Sequence, residues 1–121
     1  MATILVVDDD SIGQRMLGYT LQKNGHQVVS AFNGILALER LAEQIFDLVI
    51  TDLAMPEMDG PTLLQHIRAD TRFADIPVIM LTASGHDQDR ISARAAGVND
   101  FLTKPASSRE LMETVNRVLG Q

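Results

Sequence analysis

The sequence predicts an α/β domain whose parallel sheet is covered by helices on both faces. Three observations carry that prediction. Short β-branched runs alternate along the chain with segments of helical period, five of each. The runs are apolar almost without interruption, the mark of strands buried on both faces. No repeat, low-complexity tract or Gly/Ser linker divides the 121 residues, so a single domain over 1–121 with no effector domain is expected.

The first strand is "TILVVD" (3–8). Ile12, Met16, Leu17 and Leu21 follow as a stripe at helical spacing, and Gly25 stops it. "QVVSA" (27–31) is the second strand, and Leu38, Leu41, Ala42 and Ile45 mark the second helix. "DLVITD" (47–52) is the third strand. Pro61, well tolerated in a first helical turn, then precedes the stripe Leu63, Leu64 and Ile67. After the fourth strand, "PVIMLT" (77–82), the stretch 86–96 is polar apart from Ile91 and alanines, so its helix buries a narrow face. "DFLT" (100–103) is a weaker fifth strand, and Leu111, Val115 and Val118 give the last helix its stripe, running to Leu119. Met16, Met80 and Met112 fall at core-like positions.

Composition removes several functions. A net charge of −6 does not supply the clustered Lys and Arg that nucleic acid or an anionic membrane surface requires, so neither is an expected partner. Without cysteine there is no disulfide framework and no thiolate metal site. No apolar run approaches the ~18 residues of a membrane-spanning helix. "MATILVVDDD" meets acidic residues where a signal peptide needs a basic start and a longer apolar run. A reducing, cytoplasmic setting is the expectation. His26, His66 and His86 are scattered with no second ligand beside them, and His66 in "LLQHIRAD" is read as a surface residue.

In open α/β sheets, ligands bind at the carboxyl ends of the strands. Asp8, Asp9 and Asp10 end the first strand, Asp52 the third and Thr82 the fourth, and Lys104 follows the fifth. All fall on one rim. Carboxylates gathered there repel one another unless a cation offsets them, and an all-oxygen donor set suits Mg²⁺. Lys104 adds a fixed positive charge and Thr82 a hydroxyl donor. Together these groups match phosphoryl transfer, with a carboxylate as nucleophile. Asp10 and Asp59 are assigned to helix capping instead.

The motifs "VVDDD", "ITDLAMPEMDG", "IMLTAS" and "FLTKP" stand in the order and separations of one family. Over essentially its whole length the chain resembles the receiver domain of two-component response regulators, of the chemotaxis-regulator type. The resemblance implies a flavodoxin-like, doubly wound (βα)5 fold with strand order 2-1-3-4-5. It implies that Asp52 accepts a phosphoryl group from a phosphohistidine on a sensor histidine kinase or histidine phosphotransfer protein. Mg²⁺ would be held by Asp9, the Asp52 carboxylate and the backbone carbonyl of Ala54, with Asp8 acting through a metal-bound water. Lys104 would pair with a phosphoryl oxygen, oriented by a cis peptide before Pro105. Thr82 would turn to hydrogen-bond the phosphoryl group and Phe101 would rotate inward behind it. Those movements would alter the surface of the fourth helix, fifth strand and fifth helix for a downstream effector protein. Such a domain is a signalling phosphoacceptor, catalysing only its own phosphorylation and slow dephosphorylation, and the family leaves room for a homodimer.

Two other functions compete. Asp8 to Asp10 loosely fit the Asp-x-Asp signature of haloacid-dehalogenase-like phosphatases, with Thr82 and Lys104 in the later roles. That family needs a further acidic metal motif after the lysine; only Glu110 and Glu113 follow, inside a helical pattern, and Asp52 would have no role. A receiver-like module that signals by protein contact alone typically loses the acidic pair, the acceptor or the lysine, and all are present here. Ala106 stands where many receivers carry an aromatic. Ala54 and Ser84 are small, which predicts little shielding of an acyl phosphate and a modest lifetime.

Overall fold

β1 (Thr3–Val7), β3 (Leu48–Asp52) and β4 (Val78–Thr82) are the strands whose apolar runs are most complete, and all three lie inside the sheet. In the computed structural model, which describes residues 1–82 and 97–120, β2 (Gln27–Ala31) and β5 (Asp100–Thr103) form the edges. The order is β2-β1-β3-β4-β5 with every pair parallel, the doubly wound arrangement expected. Edge position explains the weaker apolar character of β2 and β5, since neither is buried along its whole length.

Alternation along each strand divides the interior in two. Leu5, Val7, Val49 and Met80 face one core with Leu41, Leu63, Leu64 and Ile67. Ile4, Val6, Ile50, Ile79 and Leu81 face the other with Leu21, Leu111 and Val115. The covering helices are α1 (Ser11–Lys23), α2 (Gly34–Glu43), α3 (Gly60–Ala69) and the C-terminal α4 (Ser108–Val118). Each opens on a residue whose side chain accepts from a backbone N–H of the first turn: Asp10, Asn33, Asp59 and Ser107. The helix expected over 86–96, Ser84 and His86 lie outside the described residues. Among the described residues no helix is long and apolar enough to cross a membrane.

Two helical faces differ from expectation. In α1, Ile12 and Met16 are 66% and 67% exposed, and the covered face is Gln14 with the expected Leu21 and the partly covered Leu17. Leu17 and Leu21 of the expected stripe therefore face the sheet, while Ile12 and Met16, with the equally exposed Tyr19, lie on the outer side of the helix. In α2 the covered residues are Gly34, Ala37 and Leu41; Ala42 is exposed, and Ile45 lies beyond the helix end and is 89% exposed. Met80 is fully buried and Met112 half-buried, so of the three methionines Met16 alone is not a core residue.

His66 is exposed, as expected, but His26 is buried, and its Nδ1 accepts from the Ala2 N–H at 3.1 Å. Burial lowers its pKa from the ordinary 6.5, so the folded chain favours the neutral ring. The unfolded chain then binds the extra proton first. The stabilisation is complete above pH 6.5 and is lost as pH falls through that value toward the folded pKa. Thermal unfolding between pH 7.5 and 5.5 is expected to show a falling Tm that flattens in His26→Gln; equal slopes in the two proteins would count against this role.

Candidate functional site

The strand register builds the rim. Val7 aligns with Thr51 and Ala31, Asp52 with Leu81, and Thr82 with Thr103, so the carboxyl ends of the inner strands finish together. Pairing continues one step past the strands: Asp8 N–H donates to Ala31 O at 3.1 Å, Leu53 N–H to Leu81 O at 2.8 Å and Lys104 N–H to Thr82 O at 2.7 Å. These bonds fix the backbones that carry Asp8, Asp52 and Lys104. The Lys104–Pro105 peptide is cis.

Lys104 Nζ donates to Asp52 Oδ2 at 3.0 Å and lies 3.6 Å from Asp8 Oδ2. The second distance is too long for a hydrogen bond, so Lys104 attracts Asp8 through charge alone. Asp8 is wholly buried; its Oδ1 accepts from the Asp10 N–H at 2.9 Å, while its Oδ2 has no hydrogen-bond partner among the described residues. Asp9 is exposed beside it, and one oxygen each from Asp8, Asp9 and Asp52 lie within 4.8 Å of one another. Burial raises the pKa of Asp8, and the nearby charges of Asp52 and Asp9 add to that, against the Asp10 hydrogen bond and Lys104. Burial pulls Lys104 down, but the Asp52 hydrogen bond and the two carboxylate charges outweigh it and leave its pKa raised.

Among the described residues, one ammonium against three carboxylates leaves the site short of positive charge. The orphaned Asp8 Oδ2 is a buried acceptor with nothing to accept. Both facts fit a hard divalent cation, and a set of oxygen donors fits Mg²⁺. Ala54, whose carbonyl was expected to join them, is exposed in the loop two residues past Asp52.

Thr82 is buried at the end of β4, and Phe101, paired with Met80 on β5, is half-buried against the α2–α3 core. Asp8, Asp9, Asp52 and Lys104 are thus brought together, with Thr82 bonded through its carbonyl to Lys104 and Phe101 set back from them. Asp10 and Asp59 cap α1 and α3 through the N–H groups of Ile12 and Thr62. Three residues around the site were not anticipated. A Cβ on Gly13 would lie 2.8 Å from Asp8 Oδ2, and one on Gly60 would lie 2.6 Å from Asp52 O. Gly60 therefore lets α3 begin against the backbone of Asp52, and Gly13 lets α1 pass the Asp8 carboxylate. Gln14, buried in α1, donates to backbone carbonyls at the tips of β1 and β2. A glycine in a helix's early turns, which costs about 1 kcal/mol in propensity, was the available signal for Gly13.

A family model described as the response regulator receiver domain matches residues 4–116. The chain is 42% identical over 119 residues to chemotaxis protein CheY1 of Helicobacter pylori, covering 97% of this chain and 96% of that one. Longer relatives also match, and the chain spans about half of their length, 49% and 51% in two cases. The solved structure of Vibrio cholerae chemotaxis protein CheY4 superposes with a TM-score of 0.94 at 32% identity, covering 98% of both chains. The receiver domain of a Pseudomonas aeruginosa sensor histidine kinase, solved with a magnesium ion coordinated in its active site cleft, superposes with a TM-score of 0.91 at 32% identity, covering 99% of this chain and 98% of that one.

Proposed function

We propose, given that this chain belongs to the response regulator receiver domain family, that it is a phosphoacceptor of two-component signalling, with Asp52 as the acceptor. The donor is a phosphohistidine on a sensor histidine kinase or histidine phosphotransfer protein. One observation supports this reading above the others: Asp52 Oδ2 and Asp8 Oδ2 converge on Lys104 Nζ at 3.0 and 3.6 Å, with the Asp9 carboxylate alongside. A phosphatase of the Asp-x-Asp type would not need Asp52 there, and a contact-only module would not need the charges.

In this reading an Asp52 oxygen attacks phosphorus as the phosphorus–nitrogen bond breaks, and the donor imidazole keeps the electron pair. Asp9, the Asp52 carboxylate and the Ala54 carbonyl would hold Mg²⁺, with Asp8 acting through a metal-bound water, and the ion would supply positive charge against that building on the transferring group. Lys104 exchanges its Asp52 hydrogen bond for one to a phosphoryl oxygen. Strand β4 delivers the Thr82 hydroxyl to a second oxygen, and Phe101 moves inward behind it. β5 and α4 carry the change outward to a downstream effector protein; the 86–96 segment assigned to the same surface lies outside the described residues. A full reversal of a two-state population from 1:99 to 99:1 requires about 5.5 kcal/mol of differential stabilisation. The charge-assisted bonds to Lys104, Thr82 and the cation would supply a part of that difference.

Intact-mass spectrometry after incubation with Mg²⁺ and a small-molecule phosphodonor tests the reading. A single phosphoryl adduct is expected, absent from Asp52→Asn and from a metal-free sample. An adduct that persists in Asp52→Asn, no adduct even from a phosphohistidine donor, or steady turnover of a phosphomonoester would overturn it.

A further inference from the structure

We propose that Gln14 is a positioning residue for the divalent cation, setting the geometry of the Asp8–Asp9 pair from α1 without touching the ion. The inference rests on the reading above, that this rim holds Mg²⁺.

Gln14 is 6% exposed, and a buried carboxamide is costly unless its hydrogen bonds are made. Its Nε2 donates to Ala31 O at 2.6 Å and to Asp8 O at 3.2 Å, with Val6 O at 3.5 Å. Ala31 O also accepts from the Asp8 N–H. One side chain therefore ties the tip of β1 to the tip of β2 at the point where β1 delivers its acidic residues. The Asp8 carbonyl belongs to the peptide that carries Asp9. Holding that carbonyl fixes the peptide plane between the two residues, and with it the relative aim of their carboxylates.

Gly13, the preceding residue, acts on the other end of Asp8. A Cβ there would meet Asp8 Oδ2 at 2.8 Å and Asp10 Oδ2 at 3.4 Å. Two consecutive α1 residues thus define Asp8 from its carboxylate and from its carbonyl. A methionine or leucine would fill the volume of Gln14 at the helix–sheet contact, so packing does not account for an amide at this position. The three carbonyls do.

Groups that orient metal ligands typically change metal affinity by about 10–100-fold when removed. Gln14→Met is therefore expected to weaken Mg²⁺ binding at least ~10-fold by isothermal titration calorimetry. Gln14→Asn keeps the amide but withdraws it by one methylene; the same loss is expected, and it serves if the methionine variant does not fold. Val115→Ala, which truncates a wholly buried residue in α4, supplies the control. It should lower the Tm in EDTA and leave the Mg²⁺ affinity unchanged. Wild-type affinity in a folded Gln14 variant, or an equal loss in Val115→Ala, would overturn the positioning role while leaving the cation site standing. A wild-type protein that binds no Mg²⁺ would overturn both together.

Discussion

Asp8→Asn is expected to stabilise the metal-free protein while removing most of its Mg²⁺ affinity. Asp8 is wholly buried and its Oδ2 has no hydrogen-bond partner among the described residues, so in the absence of a cation the fold carries an ionised oxygen it does not satisfy. Burial is the chief cause of its raised pKa. An amide keeps the acceptor for the Asp10 N–H and removes the buried charge. Breaking a buried ion pair usually destabilises because the surviving partner is stranded. Here Lys104 is not stranded, since it keeps its 3.0 Å hydrogen bond to Asp52 and a third of its side chain is exposed. The expected gain in EDTA is about 1–3 kcal/mol, the usual penalty of an unsatisfied buried group. Urea titration in EDTA measures the gain and calorimetry with Mg²⁺ measures the loss. A variant less stable than wild type in EDTA would refute the account.

The same residue gives a pH signature with a defined sign. With its folded pKa above the ordinary 3.8, Asp8 makes the native chain bind its proton before the unfolded chain does. Its contribution to metal-free stability therefore grows as pH falls through the folded value and is fully present below 3.8. This is opposite in direction to His26, whose contribution is lost as pH falls through 6.5. Saturating Mg²⁺ should suppress the Asp8 effect and leave that of His26.

Arg68→Met is expected to cost about 2–4 kcal/mol in stability, with the loss shared among several hydrogen bonds to a charged group. Arg68 lies in α3, at the end of the sheet away from the rim. Its Nη1 donates to Ala74 O at 2.9 Å and Ile76 O at 2.6 Å. Its Nε and Nη2 reach Gly97 O at 3.2 and 2.9 Å, and Nη2 also reaches Asn99 Oδ1 at 2.9 Å. Asn99 in turn pairs with Val78, its Oδ1 accepting from Val78 N–H and its own N–H donating to Val78 O. One guanidinium therefore joins α3, the approach to β4 and the approach to β5. A planar fork of N–H donors makes that possible, and a lysine ammonium cannot reproduce it. Arg68→Lys should recover only a minor part of the loss. Urea unfolding of the two variants provides the comparison, and a lysine variant equal to wild type would show that charge rather than fork geometry matters.

Arg68 also marks a boundary of what can be read from the chain. It occupies an ordinary helical position beside Ile67, and its partners are as far as 31 residues away, so no local pattern announces it. The rim residues are different. Asp8, Asp52, Thr82 and Lys104 each follow an apolar run closely enough that strand direction alone carries them to one edge. The caps Asp10 and Asp59 were legible for the same reason, being bonded two and three residues along the chain.

By itself the sequence determined the alternation of strands and helices, the parallel sheet and the edge on which its acidic residues and lysine collect. Those features depend on period and on chain direction, both of which are local. Only the tertiary structure decided which residues of the α1 stripe face the sheet. Leu17 and Leu21 of the expected stripe turn inward, whereas Ile12 and Met16 lie outside and the polar Gln14 takes the buried place beside the two leucines. What puts Gln14 there is a set of contacts between segments: Gly13 closing on Asp8, and Gln14 bonded to the carbonyls of two strands. A polar residue turns inward when strand ends offer it carbonyl partners, and that offer exists only once the strands are side by side.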